Sequence, residues 1–267
     1  GGFMEEKTMK PSIDRLIQMD KLIEGMNRTR QSFKQDLKQE VRESSVYNAI
    51  VSAVAMGATH MAEISSKAGE TTSVCSTYMK NLLSLGIIKR ETPYGEKSSR
   101  KSIYSIEDNM FRFWFRFVPV NNSIIVRGAA DLAYSRIEPH ISEYMGQVFE
   151  DISKQYLWRL LIDHKCPIEF KSLGRWWGND PRTRKQTELD IMGEQDRTAA
   201  VFGECKWTNE KVDIGVLVTL VSRSELFPYN KKQLYLFSKA GFTKGCIDKA
   251  AELGNVTLVT YEDIISS

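Results

Sequence analysis

The stretch from Thr187 to Trp207, TELDIMGEQDRTAAVFGECKW, decides the fold of the C-terminal half of the chain. It contains two apolar runs, ELDIMG and AAVFGECKW, which are joined by a short polar segment. Apolar runs of this length, bounded by polar turns, predict neighbouring antiparallel strands. The stretch therefore predicts the centre of a β-sheet.

Charged residues interrupt both predicted strands at regular intervals. Glu204 and Lys206 are two positions apart, as are Glu188 and Asp190, and such pairs share a face of a strand. Antiparallel pairing brings Asp190 and Glu204 within side-chain reach. Cys205 faces the opposite side, where core packing is a better interpretation than a nucleophile. The pattern predicts one chemical face with Asp190, Glu204 and Lys206.

Two carboxylates at one sheet edge need a cation, and Mg²⁺ (or Mn²⁺) prefers oxygen ligands. We expect Asp190, Glu204 and the carbonyl of Cys205 to hold the ion, while waters and a phosphate complete its shell. Such an ion activates water and stabilises charge on a phosphate, and Lys206 would orient that water or neutralise the charge. An ion pair on a half-exposed strand is the simpler alternative for Glu204 and Lys206.

Glu150 is the fourth candidate residue, on an amphipathic helix predicted over residues 141–162. It would contact the metal directly or through water. The predicted order after this helix is three strands, helix, strand, helix and strand, with PIEFKSLG (167–174) as the first strand. This order predicts an α/β domain with a central mixed sheet whose first strands form an antiparallel meander.

Residues 46–108 show a different pattern. Three short helices are followed by the strand-like runs IIKRETPYG and SIYSI, and we expect Gly69 to end the second helix and Thr71, Thr72 or Ser73 to cap the third. Helices followed by a hairpin predict a winged helix-turn-helix. The third helix would enter a DNA major groove, and the hairpin would lie along phosphates.

The basic residues of this segment support a DNA-binding role. Between residues 80 and 101, six basic residues stand against Glu91 and Glu96. The candidate DNA contacts are Lys80, Lys89, Arg90, Lys97, Arg100 and Lys101. A protein-interaction module with a soluble hairpin edge is the alternative.

Two aromatic stretches have open interpretations. RWWGNDPRTRK precedes the Asp190 strand, and its Arg182, Arg184 and Lys185 would flank a phosphate path or form a solvated turn above packed tryptophans. The run MFRFWFRFV, residues 110–118, resembles a base-stacking platform, but we favour a packed seam between domains.

The composition is that of an ordinary globular protein, with 42% hydrophobic and 27% charged residues and a net charge of +3. No apolar stretch predicts a membrane span, and no signal peptide is apparent, so we expect a cytoplasmic location. The four cysteines are scattered, which favours neither a zinc site nor a disulfide framework. The histidines lie far apart in the sequence, which argues against a catalytic triad.

The arrangement of Glu150, Asp190 and the motif Glu204-x-Lys206 resembles the PD-(D/E)XK nuclease superfamily, whose restriction-endonuclease-like fold occurs in archaeal Holliday-junction resolvases and Mrr-type enzymes. The resemblance covers roughly the last 120 residues. It implies a Mg-dependent phosphodiesterase in which these residues and the Cys205 carbonyl form the site.

A closer resemblance covers the chain from about residue 46 onward. The segments that carry it are FRFWFRFV, RIEP, VFED, GRWWG, ELDIMG, GECKW and LFSKAGFTKG. They are similar to the C-terminal half of archaeal and bacterial AAA-type ATPases that carry a winged helix and a nuclease-like domain of unknown function. The resemblance implies an AAA-type ATPase domain or homologous subunits as partners. This sequence contains no P-loop motif, so we expect no ATP site in it.

The sequence thus predicts four segments: an N-terminal helical extension (1–45), a winged helix (46–108), a helical and aromatic connector (109–140) and a restriction-endonuclease-like domain (141–267). The expected function is DNA binding with metal-dependent phosphodiester hydrolysis. The alternative is a catalytically silent nuclease-fold domain that acts as a DNA or protein interaction module.

Overall fold

A computed structural model describes residues 44–96 and 101–266, and it divides into two compact units. The predicted extension 1–45 lies almost wholly outside the described residues. The first unit, here the helical unit, contains residues up to Glu91 together with Ile103–Pro139. The second, here the sheet unit, contains Thr92–Ser102 and His140–Ser267. One hairpin therefore contributes its strands to the first unit and its tip to the second.

From residue 44 onward, the described part of the helical unit contains three helices and then a two-stranded antiparallel sheet, in the predicted order. Gly69 ends the second helix in the left-handed conformation with φ 71°, and the Thr71 side chain accepts a hydrogen bond from the backbone N–H of Val74. Both local predictions are confirmed. The elements are α1 Ser44–Ala55, α2 Met61–Ala68, α3 Thr72–Ser84, β1 Ile88–Glu91 and β2 Ile103–Ile106.

Two longer helices follow, α4 (Asn109–Ile125) and α5 (Ala130–Ile162). The aromatic run lies on α4, where Trp114 and Phe115 are buried in the core of the helical unit. The prediction that a helix begins after Pro139 was wrong, because α5 starts earlier and continues through this proline. A proline inside a helix removes one backbone donor, and a break was the simpler expectation.

The sheet unit contains a five-stranded mixed sheet with the order β3-β4-β5-β6-β7. The β3–β4 and β4–β5 pairs are antiparallel, whereas β5–β6 and β6–β7 are parallel. The mixed α/β class and the antiparallel meander are therefore confirmed. The elements are β3 Gly174–Asn179, β4 Gln186–Glu194, β5 Ala199–Lys206, α6 Ile214–Ser224, β6 Lys231–Ser238, α7 Lys244–Leu253, β7 Val256–Thr260 and α8 Tyr261–Ser266.

The first strand of this sheet is not the predicted PIEFKSLG run. Residues 167–173 are irregular, and the strand is formed by GRWWGN instead. Near its end the irregular segment passes so close over β4 that a Cβ on Gly193 would lie 2.6 Å from the carbonyl oxygen of Ser172. The apolar Ile168 and Phe170 are buried as expected, but in a crossing segment rather than in a strand.

Each face of the sheet has its own core. On the α5 face, Phe149 and Leu157 pack with Val201 and Ile191. On the α6 face, Leu217 and Leu220 belong to a core that α7 also joins. None of the helices among the described residues is long and apolar enough to span a membrane.

Candidate active site

A β-bulge in β4 places Asp190. Trp176 of β3 pairs with Leu189, but Gly174 pairs with Met192, so β4 has one residue more than its partner over this interval. Leu189 packs on the α6 face, whereas Ile191 packs on the α5 face. In a regular strand these two residues would share a face. The expectation that Asp190 lies on the face of Glu204 assumed a regular strand, and the bulge breaks that alternation.

Asp190 is 7% exposed and is held by the neighbouring strand. Its Oδ2 accepts a hydrogen bond of 2.8 Å from the backbone N–H of Cys205. Among the described residues, no lysine or arginine nitrogen lies within 4.0 Å of its carboxylate, and Oδ1 has no hydrogen-bond donor. Asp190 is therefore a buried carboxylate without a paired cation.

The acidity of Asp190 and Glu150 reflects this environment. Burial, followed by the negative charge of Glu204, raises the pKa of Asp190 to about 6, although the Cys205 N–H opposes the shift. Burial also raises the pKa of Glu150 to about 7, with Arg175 opposing the shift and Asp190 adding to it. Asp190 thus interacts electrostatically with a carboxylate on each side, in a region where negative charge is disfavoured.

Glu204 lies between two cations. Its Oε1 is 2.7 Å from Nζ of Lys206, and its Oε2 is 2.9 Å from Nη1 of Arg223 on α6. The Glu204 side chain is only 7% exposed. Burial opposes the positive charge of Lys206, but Glu204 outweighs this effect and the pKa of Lys206 rises above its ordinary value. The structure thus contains the ion pair between Glu204 and Lys206 that is the simpler alternative to a metal site.

Glu150 belongs to a second group of charges. Nε of Arg175 on β3 lies 3.4 Å from Oε2 of Glu150, and Nη2 of the same arginine lies 3.4 Å from Oε2 of Glu188. The Arg175 side chain is 22% exposed. Arg175 therefore bridges the helix residue Glu150 to the strand that carries Asp190.

The Cys205 side chain packs with the core on the α5 face, opposite Glu204 and Lys206. Burial, followed by the charge of Asp190, raises the pKa of its thiol well above the ordinary value. A buried thiol that resists deprotonation is a poor nucleophile. Its backbone N–H, rather than its side chain, connects Cys205 with the site.

In the part of the chain that the structure describes, no group of three or more His, Cys, Asp or Glu side chains is placed to hold a metal ion. Side-chain oxygen ligands would thus have to come from fewer residues, with Asp190 and Glu204 as the neighbouring pair. Glu150 is instead engaged by Arg175.

The hairpin tip packs along β3, an edge strand of the sheet. The backbone N–H of Tyr94 donates to the carbonyl oxygen of Arg175 over 2.8 Å. The Tyr94 hydroxyl lies 3.1 Å from Oγ of Ser172 and accepts a hydrogen bond from the backbone N–H of Glu194. The indole N–H of Trp177 donates to the carbonyl oxygen of Lys101. The tip therefore covers part of an edge that would otherwise offer unpaired backbone groups.

The predicted DNA-contacting residues are divided between the two units. Lys97 and Arg100 lie outside the described residues. The helical unit carries Lys80 and Arg90, which are exposed, and Lys89. Nζ of Lys89 lies 3.7 Å from Oε2 of Glu107. The sheet unit carries Lys101, Arg182, Arg184 and Lys185.

Arg182 has a structural environment that the sequence did not indicate. Its guanidinium contacts Asp180, Glu225 and the carbonyl oxygen of Ser222. These contacts attach the β3–β4 loop to the end of α6. The neighbouring Arg184 has a φ of 57° and is exposed, as is Lys185.

Arg175 and Arg223 are the site residues that sequence reasoning missed. Arg175 stands inside the RWWG run, and its basic surroundings were a weak signal. Arg223 carried no signal, because it is far from Glu204 in sequence and only the packing of α6 brings the two together.

Comparisons with known proteins give the site a family context. Residues 114–216 match the DUF234 family. This family is described as archaeal and bacterial proteins of unknown function. The matched segment includes Glu150, Asp190, Glu204 and Lys206 but ends before Arg223. An uncharacterized protein of Methanocaldococcus jannaschii is 33% identical over 208 residues, which are 77% of this chain and 45% of that protein. The chain thus spans less than half the length of this relative.

Similarity to solved structures is weak. A MarR family regulator from Neisseria meningitidis aligns with 56% of this chain and 99% of its own, at 16% identity and a TM-score of 0.24. An O-methyltransferase from neocarzinostatin biosynthesis aligns with 81% of this chain and 65% of its own, at 15% identity and a TM-score of 0.21. Scores this low carry no argument about fold or function.

Proposed function

We propose that the sheet unit is a Mg²⁺- or Mn²⁺-dependent phosphodiesterase that acts on DNA. The observation that carries the proposal is the state of Asp190: a buried carboxylate whose Oδ1 has no hydrogen-bond donor among the described residues, and which interacts electrostatically with Glu150, Glu204 and Lys206. Strongly perturbed carboxylates of this kind are concentrated at functional sites.

The donor set suits a hard divalent cation. Asp190 and Glu204 offer carboxylate oxygens, and Cys205 offers a backbone carbonyl between them in sequence. Mg²⁺ accepts one or two carboxylates and keeps several waters, so a site with few side-chain ligands fits this ion better than Zn²⁺. The raised pKa of Asp190 indicates that a positive charge would be favoured there.

The bound ion would supply an activated water and neutralise charge on the phosphate. Lys206 would remain protonated, because Glu204 supports its positive charge, and its ammonium would orient the attacking water or bind a phosphate oxygen. Arg175 would keep Glu150 close to Asp190, where this carboxylate receives or releases a proton near neutral pH.

The wider architecture supports the same proposal. Three helices followed by a hairpin are typical of winged-helix DNA-binding domains, and a helix followed by a mixed sheet carrying Asp and Glu-x-Lys is typical of restriction-endonuclease-like domains. We propose these folds for the two units, and we propose that Lys80, Arg90 and Lys101 contribute to the DNA contact. The greater length of the archaeal relative is compatible with a partner ATPase domain.

The proposal is tested by incubating supercoiled plasmid DNA with the full chain and Mg²⁺ or Mn²⁺. We expect metal-dependent nicking by the wild type and loss of nicking by Lys206→Ala, with Lys249→Ala as the control that removes a half-buried lysine from α7. Equal cleavage by the wild type and Lys206→Ala would contradict the assigned site.

A silent interaction module is the second candidate, and one observation favours it. Both oxygens of Glu204 are already neutralised, by Lys206 and by Arg223, so this carboxylate is electrostatically satisfied without a metal. This candidate would be favoured if calorimetry detects no Mn²⁺ binding and if the affinity for DNA is the same with and without divalent ions.

A further inference from the structure

Arg223 is placed at Glu204 by the packing of α6. Leu217, Leu220 and Ser224 of this helix are buried, and Arg223 stands in its last turn. Nη1 of Arg223 lies 2.9 Å from Oε2 of Glu204, and the arginine side chain is 24% exposed. A partly exposed side chain with an ion pair at its guanidinium can be held at Glu204 and can also move outward.

Glu204 carries one negative charge and faces two positive ones. Lys206 is adjacent on the same strand, so it neutralises Glu204 without help from another element. Arg223 is therefore a surplus cation as long as Lys206 is in place. A divalent ion on Glu204 would put a third positive charge beside the same carboxylate, and like charges at this range repel one another strongly in a poorly solvated site.

We propose that Arg223 is an exchangeable counter-ion: it neutralises Glu204 in the metal-free protein, leaves when a divalent metal binds, and then binds the phosphodiester of the substrate. This inference rests on the proposed function of the sheet unit. The guanidinium stays charged at every relevant pH, and its planar donors match two phosphate oxygens. Metal binding would thus release the Arg223 guanidinium from Glu204 and make it available to bind phosphate.

Arg223 differs from Arg175 and Arg182 of the sheet unit in how it is held. Arg175 contacts both Glu150 and Glu188, and Arg182 contacts Asp180, Glu225 and a backbone carbonyl. Within the described residues, the Arg223 guanidinium forms its ion pair with Glu204. Its release requires the exchange of one ion pair rather than the dismantling of a network.

The first experiment measures Mn²⁺ binding to the full chain by calorimetry without nucleic acid. Arg223→Gln should bind Mn²⁺ roughly tenfold more tightly than the wild type, because the competing charge is gone. Lys249→Gln removes one positive charge from an ion pair on α7 and should leave the affinity unchanged. Equal or weaker Mn²⁺ binding by Arg223→Gln overturns the inference.

The second experiment measures binding of a duplex oligonucleotide by fluorescence anisotropy with Ca²⁺ or with EDTA. Arg223→Gln should weaken binding roughly three- to tenfold in Ca²⁺ and leave it unchanged in EDTA, where the wild-type arginine is still paired with Glu204. The same loss in both conditions would indicate a simple surface charge and overturn the exchange.

Two further variants keep the test decisive. If circular dichroism shows that Arg223→Gln is unfolded, Arg223→Lys replaces it. Because lysine offers Glu204 a weaker, single-point contact than arginine, the Arg223→Lys protein should bind Mn²⁺ more tightly than the wild type. An unchanged Mn²⁺ affinity overturns the inference. Asp190→Asn distinguishes a failure of the exchange at Arg223 from a failure of the proposed metal site. If Asp190→Asn abolishes Mn²⁺ binding but Arg223 variants leave it unchanged, only the exchange fails. If neither the wild type nor Arg223→Gln binds Mn²⁺, the proposed function fails as well.

Discussion

The backbone N–H of Cys205 donates a hydrogen bond of 2.8 Å to Oδ2 of Asp190, and this bond holds a buried carboxylate at the point where β4 bulges. A bond of this kind favours the charged form of the acid, yet burial and the nearby Glu204 outweigh it. The site therefore stores electrostatic strain in the metal-free protein. A cation or a proton at Asp190 would relieve it.

Asp190→Asn separates the hydrogen bond from the charge. The amide oxygen of asparagine can still accept from Cys205, so we expect the metal-free variant to be more stable than the wild type at pH 8 by roughly 1–3 kcal/mol. Mn²⁺ binding should be lost. Urea unfolding in EDTA and calorimetry check the two outcomes, and a destabilised variant at pH 8 would contradict the strain described above.

Glu150 gives the protein a specific pH dependence. Its pKa of about 7 in the folded protein lies above the ordinary value of 4.5, so the fold favours the protonated form. The stability that this group contributes is complete below pH 4.5 and is lost as the pH rises through about 7. We expect Glu150→Gln to reduce the loss of stability of the metal-free protein between pH 5.5 and 8.

Urea unfolding of Glu150→Gln at both pH values, in EDTA, measures this difference. Glu169→Gln is the matched control, because Glu169 is an exposed carboxylate on the same unit. The stability of Glu169→Gln should depend on pH in the same way as that of the wild type. Parallel pH profiles for the wild type and Glu150→Gln would show that Glu150 is not the group responsible.

The Tyr94 hydroxyl should contribute measurably to the stability of the sheet unit. Tyr94→Phe removes the acceptor for the Glu194 N–H and the contact with Ser172 while it keeps the ring. We expect a loss of about 1–2 kcal/mol in the free energy of unfolding. Tyr134→Phe, which removes an exposed hydroxyl bonded to Glu138, should change stability by less than about 0.5 kcal/mol. If Tyr94→Phe leaves the free energy of unfolding unchanged, solvent satisfies these groups equally well.

The hairpin tip also provides the test of DNA binding. Arg100→Ala combined with Lys101→Ala should weaken binding to duplexes of unrelated sequence and lower the slope of log affinity against log salt by roughly 2. Fluorescence anisotropy across a KCl series checks both quantities. Lys165→Ala combined with Lys249→Ala removes the same charge elsewhere on the sheet unit and serves as control. An unchanged slope would exclude these residues from the phosphate contact.

Local patterns explain what the sequence could predict. Gly69 and Thr71 mark helix ends by their own conformational and hydrogen-bonding preferences, and the interval between Glu204 and Lys206 fixes their common face. The mixed sheet followed from the order of apolar segments. These features depend on neighbours in sequence, and sequence alone therefore reveals them.

The remaining features depend on partners distant in the chain. The bulge at Asp190 exists because β3 matches β4 with one residue fewer, and β3 was itself assigned to the wrong segment, PIEFKSLG rather than GRWWGN. Arg223 reaches Glu204 only through the packing of α6. Neither hydrophobic periodicity nor charge spacing reports the register between strands or the docking of a helix.

The hairpin whose strands belong to the helical unit and whose tip belongs to the sheet unit has a consequence for protein dissection. A fragment that starts at residue 140 retains every strand of the sheet but loses Tyr94, and with it the hydroxyl that the Glu194 N–H requires. A cut at the boundary in α5 therefore leaves the Glu194 N–H without this acceptor. A domain exchange that aims to keep this hydrogen bond has to transfer residues 92–102 together with the sheet unit.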